Sequence, residues 1–199
     1  MPHAHTPRLW LLRHPQPLVA AGVCYGQLDL PADPGHTFAA SSQFAPHLSH
    51  IAAVRVSPLL RCQQLVHALD VSHPITDARL QEMHFGQWEG RSWADIGASA
   101  VDAWAQDLWH TAPGGGESLA HMMARVRQAL VHSWQHDAQQ GARDVLWVTH
   151  AGVIRCVQWL LRHGLAHASS ADWQLPAPAC GQWMDIPWQP HRAAISALA

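Results

Sequence analysis

Short apolar runs alternate along the chain with longer segments in which apolar residues recur at helical spacing. The runs at residues 9–12, 52–56 and 145–149 are largely apolar and predict buried strands. Weaker patterns at residues 75–80 and 184–186 predict two further strands. Pro15 and Pro17 exclude a helix directly after the first run, so we expect a loop there.

The segments between the strands carry the pattern of amphipathic helices. Two of them begin with clear start signals, because Ser57 is a suitable N-cap followed by Pro58 at the first helical position, and Ser118 is a second suitable N-cap. Gly164 is a typical helix end. We predict helices over residues 36–49, 59–69, 93–98, 101–110, 119–134 and 150–164.

Strands that alternate with helices, without an internal repeat, are typical of an α/β domain. We therefore predict one domain over residues 1–199, with three α/β/α layers and a mostly parallel central sheet. The residues before Arg8 and after Pro187 are expected to be frayed ends.

The composition restricts the classes of partner. With 48% hydrophobic and 13% charged residues, the chain has the composition of a globular protein. Its formal charge of −2 offers no basic field for nucleic acid, and its longest strongly apolar run, residues 145–154, is shorter than the ~18 residues that cross a bilayer. Four cysteines without a Cys-x-x-Cys pair favour a reduced, cytoplasmic protein. We expect no nucleic-acid and no membrane partner, and the oligomeric state stays open.

Polar residues follow three of the predicted strands. Arg13 and His14 follow the first strand, the segment from Ser57 to Arg61 follows the second, and His150 follows the strand at residues 145–149. Binding sites in such folds lie outside the carboxyl ends of the strands. Two of these clusters also open helices, whose free N–H groups and dipole attract an anion. Two arginines and two histidines at one point predict a pocket for a dianionic phosphate.

Five short motifs occur in order between residues 8 and 165. They are Leu-Leu-Arg13-His14, Ser57-Pro-Leu-Leu-Arg61, Glu82-Met-His-Phe-Gly-Gln-Trp-Glu-Gly90, Pro113-Gly-Gly-Gly-Glu-Ser118 and Val148-Thr-His150-Ala-Gly-Val. In these motifs the chain resembles the histidine phosphatase superfamily, also called phosphoglycerate-mutase-like. With Cys24-Tyr-Gly-Gln-Leu-Asp-Leu-Pro31 it looks most like the α-ribazole phosphatase branch, which removes phosphate from α-ribazole 5′-phosphate during assembly of the lower ligand of cobalamin.

The resemblance implies a role for each residue of the pocket. His14 would attack phosphorus and form a phosphohistidine, and Arg13, Arg61 and His150 would bind the non-bridging oxygens. Glu82 would protonate the leaving oxygen and then activate water. No metal and no cofactor are expected, since the arginines supply the positive charge. The expected partner is a small-molecule phosphate ester.

One departure from the family pattern leaves alternatives open. Pro15 and Pro17 stand where the family has glycine and a hydroxyl residue, and proline has no N–H to offer a phosphate. The alternatives to an α-ribazole phosphatase are a broad-specificity phosphatase, a phosphoglycerate mutase, and a non-catalytic phosphate-binding protein of the same fold.

The leaving group is expected to meet an aromatic wall. Trp88 and Trp93 lie close to Glu82 in the chain, in or just after the motif from Glu82 to Gly90, and are the candidates for that wall. Few additional cations are expected around the phosphate pocket, which favours an aromatic leaving group over a carboxylated one. Glu89 is an alternative to Glu82 as the acid.

Other charged residues are expected to lie on solvated helix faces. Arg125 and Arg127 belong to this group. So do the pairs His132/His136 and His163/His167, which have the spacing of a shared metal ligand set but lack the glutamate of an H-E-x-x-H motif.

Overall fold

The computed structural model describes residues 6–139 and 141–199. Within them the strands are β1 (Arg8–Arg13), β2 (Ile51–Val56), β3 (Ile75–Thr76), β4 (Asp144–Thr149) and β5 (Trp183–Pro187). The helices are α1 (Pro34–Phe44), α2 (Leu60–Ala68), α3 (Trp93–Ile96), α4 (Ala98–Gln106), α5 (Leu119–His132), α6 (Ala151–His163) and α7 (Trp188–Leu198).

The five strands form one sheet in the order β3-β2-β4-β1-β5. The pairs β1/β4, β2/β4 and β2/β3 are parallel, and only β5 runs antiparallel, against β1. The predicted α/β class with a mostly parallel sheet is therefore confirmed.

Alternate residues of the strands enter two different cores. Leu9 and Leu11 of β1 join a cluster that includes buried residues of α5, α6 and α7. Trp10 and Leu12 face the other way and pack with buried residues of α1 and α2. Since successive strand side chains point to opposite faces, this alternation gives the sheet a helical layer on each side.

The register of the parallel strands aligns their polar ends. Arg13 of β1 is paired with Thr149 of β4, and Val56 of β2 is paired with Val148. The residues that follow, His14, Ser57 and His150, consequently lie side by side at one edge of the sheet.

Several predicted boundaries are wrong. The helix predicted for residues 36–49 is α1 followed by a 3-10 helix over Ala45–His50, and the helix predicted for residues 101–110 is α4, which ends at Gln106. The helix after β2 begins at Leu60 with Leu59 as its N-cap, because Leu59 is still extended and the Ser57 hydroxyl is engaged by a histidine of the site. The strand predicted for residues 75–80 stops at Thr76, because the Asp77 carboxylate accepts from Arg79 N and starts a 3-10 turn over Ala78–Leu80.

The expectation of a frayed carboxyl end is also wrong. The segment after Pro187 forms α7, in which Trp188, Ile195 and Leu198 are buried against the core. The prediction for residues 150–164 is confirmed: α6 spans Ala151–His163 and ends at Gly164, whose φ of +61° suits glycine. No helix in the described part of the chain is both long and apolar enough to cross a membrane.

Candidate active site

His14 lies at the centre of the site, directly after β1. Its N–H donates to the Thr149 carbonyl at 2.9 Å, and its side chain is 1% exposed. Ring atom Nδ1 lies 2.6 Å from the Pro15 carbonyl oxygen. A carbonyl can only accept, so Nδ1 carries the proton and the lone pair is on Nε2.

The surroundings of His14 keep its ring neutral. Burial, and then the charge of Arg61, lower the pKa of His14 to about 3; the Pro15 carbonyl opposes this shift and Arg13 adds to it. A ring with that pKa is uncharged at physiological pH and can act as a nucleophile.

Arg61 places a buried cation beside the two histidines. Its guanidinium donates to the carbonyls of Leu28 (3.0 Å) and Gly26 (2.7 Å), and its Nη2 lies 3.2 Å from His150 Nδ1. The side chain is fully buried and its Nε has no hydrogen-bond partner among the described residues. Since buried polar atoms are almost always paired, an unpaired cationic donor here fits an anionic ligand.

Arg13 presents a second donor of the same kind. It is the last residue of β1, its Nη1 donates to the Pro178 carbonyl at 2.9 Å, and its buried Nε has no partner in the described part of the chain. Both arginines of the site thus carry a buried Nε donor without a partner among the described residues.

His150 is fully buried between Arg61 and Ser57. Arginine can only donate, so His150 Nδ1 accepts from Arg61 and Nε2–H donates to Ser57 Oγ at 2.8 Å. Burial, followed by the proximity of His14 and Arg61, lowers the pKa of His150 well below its usual value. Its ring centroid is 5.0 Å from that of His14. The observed contacts position Arg61, and direct binding of phosphate by His150 stays a prediction.

The Glu82 side chain contacts the first turn of α6. Its carboxylate accepts from Met83 N at 2.9 Å and from Gly152 N at 3.2 Å. A Cβ on Gly152 would overlap this carboxylate, so only glycine permits the contact. Glu82 lines the same cavity as Arg13, which is the place an acid for the leaving group requires.

Glu89 has a different environment. Its carboxylate accepts from the backbone N–H groups of Gln27 and Phe85, both at 2.9 Å. It is not among the residues that line the cavity beside Arg13. Glu89 braces the loop, and the geometry favours Glu82 as the acid.

The expectation that Arg125 lies on a solvated face is wrong. Arg125 is partly buried, pairs with both oxygens of Glu117 at 2.7 Å, and donates to the carbonyls of Gln81 (2.7 Å) and Glu82 (3.1 Å). It fixes the backbone that carries Glu82. No local pattern in the sequence marked this role, because the partners of Arg125 lie in other segments of the chain.

A cavity of about 330 Å³ extends from the pocket. Its charged lining residues are Arg13, Glu82 and Arg155, and its aromatic ones are Tyr25, Phe85, Trp93, Trp104 and Trp173. Among the described residues of this lining, Arg155 is the one cation besides Arg13. Its Nε donates to the Leu175 carbonyl at 2.8 Å, and no carboxylate of the described residues pairs with it.

The predicted wall residues differ in position. Trp93 lies in the lining of the cavity, whereas Trp88 packs behind it, edge to face with Trp93 at 6.3 Å and with Trp104 at 6.0 Å. Sequence reasoning missed Trp104 and Trp173, because no local motif marks them and distant loops bring them to the site.

The family model described as Histidine phosphatase superfamily (branch 1) matches residues 9–197. The chain is 33% identical over 121 residues to a glucosyl-3-phosphoglycerate phosphatase of Mycobacterium tuberculosis, a match that covers 56% of this chain and only about half, 50%, of that protein. It is 27% identical over 176 residues to the adenosylcobalamin/alpha-ribazole phosphatase of Escherichia coli, which covers 74% of this chain and 75% of that protein.

A solved structure agrees with these sequence matches. The native structure of a mycobacterial glucosyl-3-phosphoglycerate phosphatase has a TM-score of 0.72 at 28% identity, covering 91% of this chain and 90% of that one. The relatives found by both comparisons are named as phosphatases. Because the family model spans almost the whole chain, including every motif of the pocket, the chain belongs to the histidine phosphatase superfamily, branch 1.

Proposed function

We propose that the protein hydrolyses phosphate monoesters through a phosphohistidine on His14. The observation that carries this proposal is the neutral, buried His14, whose Nε2 lone pair is free because Nδ1 is tied to the Pro15 carbonyl. The proline at position 15 keeps that contact, because only its carbonyl is used and the missing N–H has no part in it.

The reaction has two displacements at phosphorus. In the first, His14 Nε2 forms a bond to phosphorus while the bond to the leaving oxygen breaks, and Glu82 in its acid form gives a proton to that oxygen. In the second, water forms the new P–O bond, Glu82 takes its proton, and the P–N bond breaks to restore His14. Arg13 and Arg61 hold the charge on the non-bridging oxygens in both transition states.

α-Ribazole 5′-phosphate is the first candidate substrate. Its aromatic base requires a stacking surface, and Tyr25, Phe85, Trp93, Trp104 and Trp173 supply aromatic surface in the cavity. The E. coli relative named alpha-ribazole phosphatase supports the same choice.

A carboxylated ester is the second candidate. Arg155 offers a guanidinium in the cavity without an acidic partner among the described residues, which suits a substrate with a second anionic group. The relatives named glucosyl-3-phosphoglycerate phosphatase support this class. The mutase alternative is tested separately, by assaying conversion of 3-phosphoglycerate to 2-phosphoglycerate.

The deciding experiment measures phosphate release by the purified protein. p-Nitrophenyl phosphate tests the basic activity, and a non-catalytic binding protein would release no phosphate from it. The values of kcat/KM for α-ribazole 5′-phosphate, glucosyl-3-phosphoglycerate, 3-phosphoglycerate and a sugar phosphate then rank the substrates. We expect the ribazole ester to rank first; a flat ranking would indicate a broad-specificity phosphatase instead.

A further inference from the structure

Three exposed side chains outside the cavity lie close enough to share a metal ion. They are Asp107, His110 and His167, and one ligand atom of each lies within 4.8 Å of the others. The rings of His110 and His167 stack with centroids 5.3 Å apart. The Asp107 carboxylate oxygens lie 3.0 and 3.1 Å from His110 Nδ1.

This cluster replaces the histidine pair suggested by spacing. His163 is the last residue of α6, and its ring packs on Trp159 with a centroid distance of 4.2 Å. His167 comes after Gly164 has ended the helix, so it does not lie one turn above His163. It approaches His110, from a distant part of the chain, instead.

The turn that carries Asp107 and His110 is already fixed. Asp107 Oδ1 accepts from His110 N at 3.2 Å, and the Asp107 carbonyl accepts from Thr111 N at 2.9 Å. The next residue, Leu108, is buried, and its carbonyl accepts from Leu119 N at the start of α5. Two of the three ligands are therefore held on one rigid turn.

His167 is also held by its neighbours in the chain. The Ala166 carbonyl accepts from Trp159 Nε1 at 2.8 Å, and Ala168 is 1% exposed. The His167 ring lies edge to face against Trp109 at 5.0 Å. Its position opposite Asp107 and His110 is thus set by buried contacts on both sides.

We propose that Asp107, His110 and His167 form a zinc site. Two imidazoles and a carboxylate are a ligand set that Zn²⁺ accepts and that Mg²⁺ and Ca²⁺ do not prefer. Tetrahedral zinc with bonds of about 2.0–2.2 Å sets its donors roughly 3.4 Å apart. The three ligand atoms, now within 4.8 Å of one another, therefore need to close by up to about 1.4 Å. Water would complete the coordination.

The zinc site would join two segments that build the cavity. Asp107 and His110 follow α4, and α4 carries Trp104. His167 and Trp173 both belong to the segment that follows α6. The two segments already meet where the Ser170 hydroxyl contacts the Ala105 carbonyl. A bound ion would hold both aromatic residues in place without taking part in phosphate chemistry.

Calorimetric titration of the chelator-treated full chain with zinc chloride tests the site. We expect wild-type protein to bind one equivalent, and His110→Ala/His167→Ala to bind at least tenfold more weakly, which corresponds to about 1.4 kcal/mol. Asp107→Asn, a conservative change at an exposed position, should weaken binding in the same direction. The matched control is His132→Ala/His136→Ala, which removes a pair whose ring centroids are 4.6 Å apart and should leave the affinity unchanged.

Amide hydrogen exchange gives the second readout. Zinc should slow exchange in residues 107–111 and in residues 165–173 of the wild type, and in neither segment of His110→Ala/His167→Ala. Equal zinc affinity in the wild type and His110→Ala/His167→Ala, or protection of the wild type that misses one of the two segments, would overturn the proposal. Neither readout depends on phosphatase activity, so the site and the proposed function can fail separately.

Discussion

The phosphate pocket and the leaving-group cavity share Arg13 but are built in different ways. The pocket takes Arg13, His14 and His150 from the ends of paired strands, where the register of β1 and β4 places them side by side. The cavity takes most of its wall from loops and short helices, among them Trp93 and Trp173. Strand pairing holds the residues around phosphorus in fixed positions. Loops tolerate more variation, so they can determine which leaving group the cavity accepts. We therefore expect pocket variants to lower the rate for every substrate and cavity variants to change the ratio between substrates.

The largest effect is expected from His14→Ala. Without a nucleophile no covalent intermediate forms, so kcat should fall by at least about 10⁴-fold for p-nitrophenyl phosphate and for α-ribazole 5′-phosphate alike. Steady-state assays of phosphate release measure this loss. His136→Ala, an exposed histidine far along the chain, should keep wild-type rates, and a His14→Ala variant with wild-type rates would place the chemistry elsewhere.

Glu82→Gln should have the next largest effect and should depend on the leaving group. General acid catalysis contributes about 10²–10⁴-fold where the leaving alkoxide is a strong base, so an alkyl phosphate should slow by that factor. p-Nitrophenyl phosphate, whose leaving group departs without a proton, should slow much less. Equal slowing of both esters would mean that Glu82 only positions the substrate; Glu89→Gln serves as the comparison acid.

The pH dependence of stability tests the buried, neutral state of His14. Its folded pKa of about 3 lies below the unfolded value near 6.5, so between these values the unfolded chain binds more protons than the folded one. The contribution of neutral His14 to the free energy of unfolding is complete above about pH 6.5. It is lost as the pH falls toward 3, by about 1.4 kcal/mol per pH unit for such a histidine. Urea unfolding at several pH values from 7 to 4 measures this free energy, which should fall less steeply with decreasing pH in His14→Gln than in the wild type. An equal pH dependence in both proteins would mean that His14 is not held neutral.

The smallest effect is expected from Arg155→Gln, which tests whether this residue of the cavity selects the leaving group. Removing this guanidinium should reduce kcat/KM for glucosyl-3-phosphoglycerate about tenfold, or about 1.4 kcal/mol, and leave p-nitrophenyl phosphate nearly unchanged. Arg162→Gln, on the exposed side of the same helix, is the control. If both substrates lose the same factor, Arg155 supports the pocket and does not select the leaving group.

The accuracy of prediction from sequence follows the same division. The apolar run at residues 9–12 and the motif around His150 predicted the strand ends that carry the pocket, since an apolar strand run and a helix start are local patterns. Arg125 was misjudged, because an arginine on an amphipathic helix shows no sign of its distant partners, the Gln81 and Glu82 carbonyls.

The carboxyl end and the cavity wall needed tertiary contacts that no local pattern contains. The segment after Pro187 is proline-interrupted and short, yet Trp188 and Ile195 find a place in the core and order it as α7. Trp104 and Trp173 reach the cavity from distant segments, so their spacing in the chain gave no hint of a common site.

Trapping the intermediate tests the central claim most directly. Rapid quenching of the enzyme during turnover of a ³²P-labelled ester, followed by peptide mapping at neutral or alkaline pH, locates the bound phosphate. We predict an acid-labile phosphohistidine on the peptide that contains His14, at a level that rises and decays with turnover. Turnover without labelled protein, or label on a peptide that lacks His14, would contradict the account.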